Sequence, residues 1–254
     1  MRRRALLAGV AAGATTALAG CTDAGSLFGD PVQETREQYF DVPDGTRIRV
    51  ENESGDVSVS GRDRPDASVD ATVMAPGESR LDDVTVSVNE DENGDLAVDV
   101  DVSGDASRVS VDLDLRVPED AAMAPVQTEN GDVEVRGVAG VPAARSVNGD
   151  VTVRDAGPVG SVSSANGDVA ADVPAPLPGD VLVRTENGDA EVALSTDADA
   201  TLDAQTENGD VDVEELGLQN RSGNDGRVTG TLGEGTHDVT IATLNGSVEV
   251  RALQ

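Results

Sequence analysis

Asn148-Gly149-Asp150-Val151-Thr152-Val153 is followed by Asn166-Gly167-Asp168-Val169-Ala170-Ala171, and the two stretches read as one unit written twice. Asn-Gly is a strong turn signal because both residues tolerate a positive φ. The residues two and four places after the glycine are apolar, and the one between them is polar or small. That alternation is the period of a strand with one buried and one exposed face. The unit recurs as Ser54-Gly55-Asp56-Val57-Ser58-Val59, Asn93-Gly94-Asp95-Leu96-Ala97-Val98, Asn130-Gly131-Asp132-Val133-Glu134-Val135 and Asn187-Gly188-Asp189-Ala190-Glu191-Val192. It returns as Asn208-Gly209-Asp210-Val211-Asp212-Val213 and Asn245-Gly246-Ser247-Val248-Glu249-Val250, with a degraded copy at Asp225-Gly226-Arg227-Val228.

Gly55, Gly94, Gly131, Gly149, Gly167, Gly188, Gly209 and Gly246 are therefore expected to be the structural turns of a repeat; with Gly226 of the degraded copy counted among them, the first two gaps are near twice the others. Each long gap is expected to hold one unmarked coil, with strands at 67–73 and 84–88 in the first and at 109–117 in the second. The result is an all-β, single-domain β-solenoid of about ten coils with a roughly 19-residue repeat. The position three before the glycine carries Thr128, Ser146, Ser164, Thr185, Thr206 and Thr243, which stacked coils would align into a ladder. A hairpin array is the rival architecture, but it calls for shorter and more even units.

Composition agrees with a thin interior. Aromatic residues make up 1% of the 254-residue chain and Trp is absent, so small β-branched and aliphatic side chains must fill the core. Asp and Glu number 49 against 18 basic residues, all of them Arg, for a net charge of −31. Such a surface repels nucleic acid, and no nucleic-acid partner is expected. Its self-repulsion is tolerable where the Debye length shrinks to about 3 Å, in 1 M salt. The acid-rich, lysine-free composition resembles that of haloarchaeal proteins. An acidic tail for a basic partner would concentrate the charge in one block, whereas here it is spread along the chain.

Residues 1–20 read as a signal peptide, with Arg2-Arg3-Arg4 ahead of a short apolar run too brief to span a bilayer. The paired arginines followed by Ala5-Leu6-Leu7 resemble a twin-arginine signal. Leu18-Ala19-Gly20-Cys21 resembles the lipobox of prokaryotic lipoproteins, which implies lipidation of Cys21, an anchor in membrane lipid, and placement on the extracellular face of the cell membrane. Cys21 is the only cysteine, so no internal disulfide can form. Residues 21–39 are expected to be the lipidated N-terminus and a flexible spacer, and 40–254 the repeat domain. Tyr39 and Phe40 are expected to help cap one open end of the stack.

The stretch Phe40-Asp41-Val42-Pro43 through Arg47-Ile48-Arg49-Val50, followed by the Gly-Asp strands, resembles the putative adhesin domain family. The resemblance covers residues 40–254 and implies a Gly-Asp-rich β-solenoid on a microbial surface protein, with no catalytic residues to carry over.

A search for chemistry points the same way. The only histidine, His237, lies in a turn-like stretch and reads as a solvated loop residue. No Cys or His cluster offers a zinc site, and no cofactor or metal is expected. Asp56, Asp95, Asp132, Asp150, Asp168, Asp189 and Asp210 would stand in line at one corner, but calcium β-rolls use nine-residue units with paired glycines. These aspartates therefore read as hydrated turn residues. Arg136 and Arg154 share a column with Asp172, read as charge balancing by Glu134 and other nearby acids. The expected function is a non-catalytic adhesion, binding or structural module of the cell envelope, whose partner is an envelope protein or glycan. A polysaccharide-active β-helix and an envelope-stress sensor or scaffold are the alternatives.

Overall fold

In the computed structural model, residues 31–253 are described, so the signal segment, Cys21 and the first part of the expected spacer lie outside the described residues. The first strands in chain order are β1 (Val32–Asp41), β2 (Arg47–Ser54), β3 (Val57–Arg62), β4 (Asp66–Ala75), β5 (Val84–Glu90), β6 (Leu96–Val102) and β7 (Ser110–Pro118). A regular series follows: β8 (Ala122–Asn130), β9 (Val133–Arg136), β10 (Val141–Arg145), β11 (Val151–Arg154), β12 (Val159–Ser163), β13 (Val169–Val173), β14 (Val181–Arg184) and β15 (Ala190–Leu194). The chain ends with β16 (Ala200–Asn208), β17 (Val211–Val213), β18 (Gln219–Asn224), β19 (Arg227–Leu232), β20 (His237–Asn245) and β21 (Val248–Ala252).

These strands form two sheets. Sheet A runs β1-β4-β7-β3-β9-β11-β13-β15-β21-β17, and sheet B runs β18-β19-β16-β20-β14-β12-β10-β8-β2-β6-β5. In each regular coil a strand of sheet B enters an Asn-Gly or Ser-Gly corner and leaves as a strand of sheet A. The pairs β2–β3, β8–β9, β10–β11, β12–β13, β14–β15, β16–β17 and β20–β21 do this, and β6–β7 makes the same crossing without the motif. Like strands of neighbouring coils pair in parallel, so the fold is the β-solenoid expected, with two strands per coil. The expected ten coils resolve into eight parallel ones plus antiparallel strands over the ends. The 109–117 stretch is β7, a true coil strand. The 67–73 and 84–88 stretches are β4 and β5, which run antiparallel to β7 and β6 and lie outside the stack.

Alternation explains the thin core. In sheet A the residues two and four after each glycine point inward, so Val151 and Val153 stack on Val133 and Val135 on one side and on Val169 and Ala171 on the other, all buried. Sheet B contributes a facing pair, such as Val159 and Val162 or Val181 and Val183. At the edge away from the corners, Val138, Ala156, Leu177 and Ala198 close the interior. Burying a Val-sized side chain contributes about 1.5–3 kcal/mol, so a coil of four or five such residues holds only when it has neighbours.

At the N-terminal end the spacer expected over 21–39 is overturned from Val32 onward, where the chain is already β1, paired antiparallel with β4 over ten residues. Its inward positions include Arg36 and Gln38, and these polar residues hide the strand's alternation in the sequence. They are there for a reason: Arg36 donates to the carbonyls of Val84 (2.6 Å) and Leu81 (2.8 Å), and Gln38 to that of Val86 (2.8 Å). Acceptors of edge strand β5 and its approach are thereby satisfied across the open end of the core. Phe40 packs against the core as expected of a cap, whereas Tyr39 points outward, 53% exposed, and bonds Glu37.

The C-terminal end departs from sequence order. Strand β20 pairs in parallel with both β14 and β16, and β21 with both β15 and β17, so the last coil of the chain sits between the two before it. The hairpin β18–β19 lies antiparallel on β16. Its turn holds the degraded copy, where the Gly226 carbonyl accepts the Thr206 N–H (2.9 Å) and that of Asp225 the Val211 N–H (2.7 Å). The copy is thus a lid on the last corner rather than a coil.

Candidate functional site

The corner is the most repeated feature, and its chemistry can be followed atom by atom. Gly131, Gly149, Gly167, Gly188, Gly246 and Gly209 have φ between +146° and +155°, with Gly55 at +119°. A β-carbon on Gly149 would lie 2.1 Å from the Gly131 carbonyl oxygen, and one on Gly167 2.2 Å from that of Gly149. Close stacking of coils therefore demands glycine twice, through φ and through contact. The glycine N–H donates to the carbonyl of the next coil's Asn, as Gly149 does to Asn166 at 2.8 Å.

Side chains complete the corner. The hydroxyls three before the glycine donate to the glycine carbonyl of the preceding coil in space: Ser146 to Gly131 (2.8 Å), Ser164 to Gly149 (2.7 Å), Thr185 to Gly167 (2.8 Å) and Thr243 to Gly188 (2.8 Å). Thr128 and Thr206 do the same to Gly55 and Gly246. The asparagines form an amide ladder in which each Nδ2 donates to the Oδ1 of its neighbour at 2.9–3.0 Å, through Asn130, Asn148, Asn166, Asn187, Asn245 and Asn208. The aspartates form a third ladder. Oδ1 of Asp132 accepts the N–H of Asp150, Asp150 that of Asp168, and Asp168 that of Asp189, at 2.7–2.8 Å. Asp112 and Asp56 extend it at one end and Ser247 at the other. Each carboxylate in the row thus holds the next coil's backbone, and among the described residues no group of three or more His, Cys, Asp or Glu side chains is placed to hold a metal ion.

Gly94 belongs elsewhere. It sits in the antiparallel β5–β6 hairpin at φ +82°, with nothing within 4 Å of where a β-carbon would lie. Asp95 beside it accepts from Nε (3.0 Å) and Nη2 (2.8 Å) of Arg47, outside the aspartate ladder. Asp210 lies at the far end of the stack, beyond Ser247. His237 opens β20, and its N–H bonds the Asp199 carbonyl at 3.1 Å.

Over residues 28–251 the sequence matches the family described as Toastrack DUF4097. The chain belongs to that family. No curated protein matches it. Among solved structures, this Toastrack chain is similar to a putative cell adhesion protein from Clostridium sporogenes, at 13% identity and a TM-score of 0.47, over 88% of this chain and 100% of that one. A putative adhesin from Bacteroides fragilis is similar at 12% identity and a TM-score of 0.41, over 88% and 99%. A putative lipid binding protein from Parabacteroides distasonis is similar at 13% and 0.33, over 87% and 97%.

The two outer faces of the Toastrack sheets differ. On sheet A the arginine column is neutralised locally. Arg136 pairs with Glu134, Arg154 approaches Asp172 (3.7 Å) and Glu191 (3.9 Å), and Arg251 pairs with Glu191. On sheet B the positions four before the glycines carry Gln127, Arg145, Ser163, Arg184, Ala242 and Gln205, a run without an acid from β8 to β16 that ends at Glu51 of β2 and the Asp99 in register with it on β6, in a chain of net charge −31. Sequence reasoning missed this contrast. Aligning the copies one place upstream of the Ser and Thr ladder would have found it.

Proposed function

We propose that this Toastrack chain is a non-catalytic binding module of the cell envelope, exported and held at the extracellular face of the membrane through lipid on Cys21. One observation carries the reading: the repeated polar side chains of the corners bond to the neighbouring coil, so repetition builds a scaffold and leaves two flat sheet faces for a partner. The anchor is supported by Leu18-Ala19-Gly20-Cys21, and no helix among the described residues is long and apolar enough to cross a membrane.

Two measurements test the reading. Cys21→Ser should leave the protein exported but free of the membrane, which immunoblots of membrane fraction and medium report. Membrane association that still needs detergent for release would remove the anchor. The purified Cys21→Ser protein should co-sediment saturably with envelope fragments in about 1 M salt, where long-range repulsion is screened. No retention on the fragments would remove the binding role.

A further inference from the structure

We infer that the outer face of sheet B across β10, β12 and β14 is a docking site for a linear acidic glycan, an inference that rests on the binding-module reading above. Arg145, Ser163 and Arg184 are in register on three adjacent strands, which places the two arginine backbones about 10 Å apart, two strand spacings. Both arginine side chains are exposed, and neither makes an ion pair among the described residues, whereas Arg136, Arg154 and Arg251 on the opposite face all have acids beside them. The adjoining row holds Ala143, Ser161, Leu182 and Thr240 and meets an acid only beyond them, at Asp203, which Arg227 pairs at 2.7 Å; Leu182 is 41% exposed.

An acid-free strip with two uncommitted guanidiniums on so acidic a molecule selects an anionic partner. A guanidinium presents a planar fork that matches carboxylate or sulfate oxygens two at a time. Shape then decides which anion. The strip is only two rows wide and has acids at its margin: exposed Glu129 and Glu186 towards the corners, and at the β10 end Glu51, Glu53, Asp99 and Asp101, which line one cavity with Arg145. A protein interface of ordinary size covers about 800 Å² on each partner and would lay acidic groups against those glutamates. A single extended chain crossing β10, β12 and β14 meets the arginines, with the hydroxyls of Ser161 and Ser163 on the strand between them and that of Thr240 beyond Arg184 for its own hydroxyls. Carboxylated and sulfated sugars share this chemistry.

The test uses the full chain with Cys21→Ser, titrated in about 1 M salt with polygalacturonate, dextran sulfate, neutral dextran and poly-L-glutamate and followed by calorimetry. At least one acidic polysaccharide should bind, and dextran and poly-L-glutamate should not. Arg145→Ser with Arg184→Ser should weaken binding roughly tenfold or more, Glu186→Gln should strengthen it, and Arg136→Ser with Arg154→Ser on sheet A should leave it unchanged. Circular dichroism shows whether each variant keeps its fold, and Arg145→Lys with Arg184→Lys gives a second probe that keeps the charge but loses the fork. Equal binding of poly-L-glutamate, indifference to the arginine pair, or binding of neither polysaccharide would each overturn the proposal. If envelope fragments still retain the protein in those cases, the binding-module reading stands and this face is the wrong one. If they do not, the reading itself falls.

Discussion

The middle of the stack and its two ends are built by different rules. From Gly131 to Gly188 every coil repeats the same corner, bonded to the next by glycine, hydroxyl, amide and carboxylate in fixed places. At the ends those rules stop. The N-terminal end is closed by antiparallel β1, β4 and β5, with Arg36 and Gln38 reaching across to backbone carbonyls. At the C-terminal end a coil is inserted out of order and a hairpin lies over the last corner. A repeat specifies its own propagation. Stopping it needs contacts that occur once, because an open end presents unpaired backbone and uncovered core.

The sharpest way to break this comparison is to put the same small change in both regions. Gly149→Ala drives a β-carbon to 2.1 Å from the Gly131 carbonyl oxygen, so the coils must separate, and the expected loss is roughly 3–5 kcal/mol. Gly94→Ala meets open space and suffers only the left-handed backbone, at about 1–2 kcal/mol. Denaturant unfolding of the two variants measures both, and hydrogen exchange in Gly149→Ala should rise first in the flanking coils. Equal losses would mean that the corners are no tighter than an ordinary hairpin.

The corner was legible because it is written many times, and so was the alternation of the strands that follow it. What the sequence could not tell apart was an Asn-Gly-Asp that turns a coil from one that turns a hairpin: Gly94 carries the same local signal as Gly149, and only the pairing direction of the next strand separates them. The strands at β4 and β5 could be read, but their direction could not, since antiparallel and parallel partners demand the same alternation. Strand β1 was hidden because its inward face carries Arg36 and Gln38. The place of β20 was hidden because a copy carries no mark of its neighbour: Asn245-Gly246 has the same signal as Asn208-Gly209, and only the pairing of β20 with both β14 and β16 sets its place. The candidate face on sheet B was overlooked for yet another reason: its signal is a run of one column, from Gln127 to Gln205, that holds no acid, visible only when the copies are aligned.

Charge gives a smaller contrast between the regions. The carboxylates of Asp112, Asp56, Asp132, Asp150, Asp168 and Asp189 form one row at the spacing of the coils. Unscreened neighbours at about 4.8 Å repel by about 0.9 kcal/mol in water, so the row costs about 4 kcal/mol in dilute buffer, a large part of the 5–15 kcal/mol that holds a domain together. Molar salt should restore that loss. Asp150→Asn keeps an oxygen for the Asp168 N–H and removes two repulsive neighbours. It should stabilise the protein by about 2 kcal/mol at low salt and by close to nothing at 1 M. Melting temperatures through a salt titration of both proteins provide the check, and a gain that ignores salt would show that repulsion along the row is not what limits stability.

The smallest expected effect lies at the C-terminal end, where Asp199 fastens the turn that leads into the inserted coil. Its Oδ2 accepts the Thr236 hydroxyl at 2.7 Å, and its Oδ1 accepts the N–H groups of Glu234 (2.7 Å) and Thr236 (3.2 Å). The Thr236 hydroxyl, with these backbone donors behind it, holds the carboxyl below the usual Asp range. An Asp whose folded value is depressed binds its proton more readily when unfolded. Its stabilisation is therefore complete above the unfolded value of about 3.9 and is lost as pH falls through the folded one. Asp199→Asn should melt slightly below the parent at pH 7, and the difference should close below about pH 4. Comparing the two proteins at each pH cancels the titration of the carboxylates they share. Hydrogen exchange at pH 7 should rise in residues 233–245 and leave the coils around Gly149 unchanged. A difference in melting that persists undiminished into acid would mean that the charge of Asp199 contributes nothing to holding the turn. Exchange that rises equally around Gly149 would mean that the inserted coil does not open separately from the regular middle.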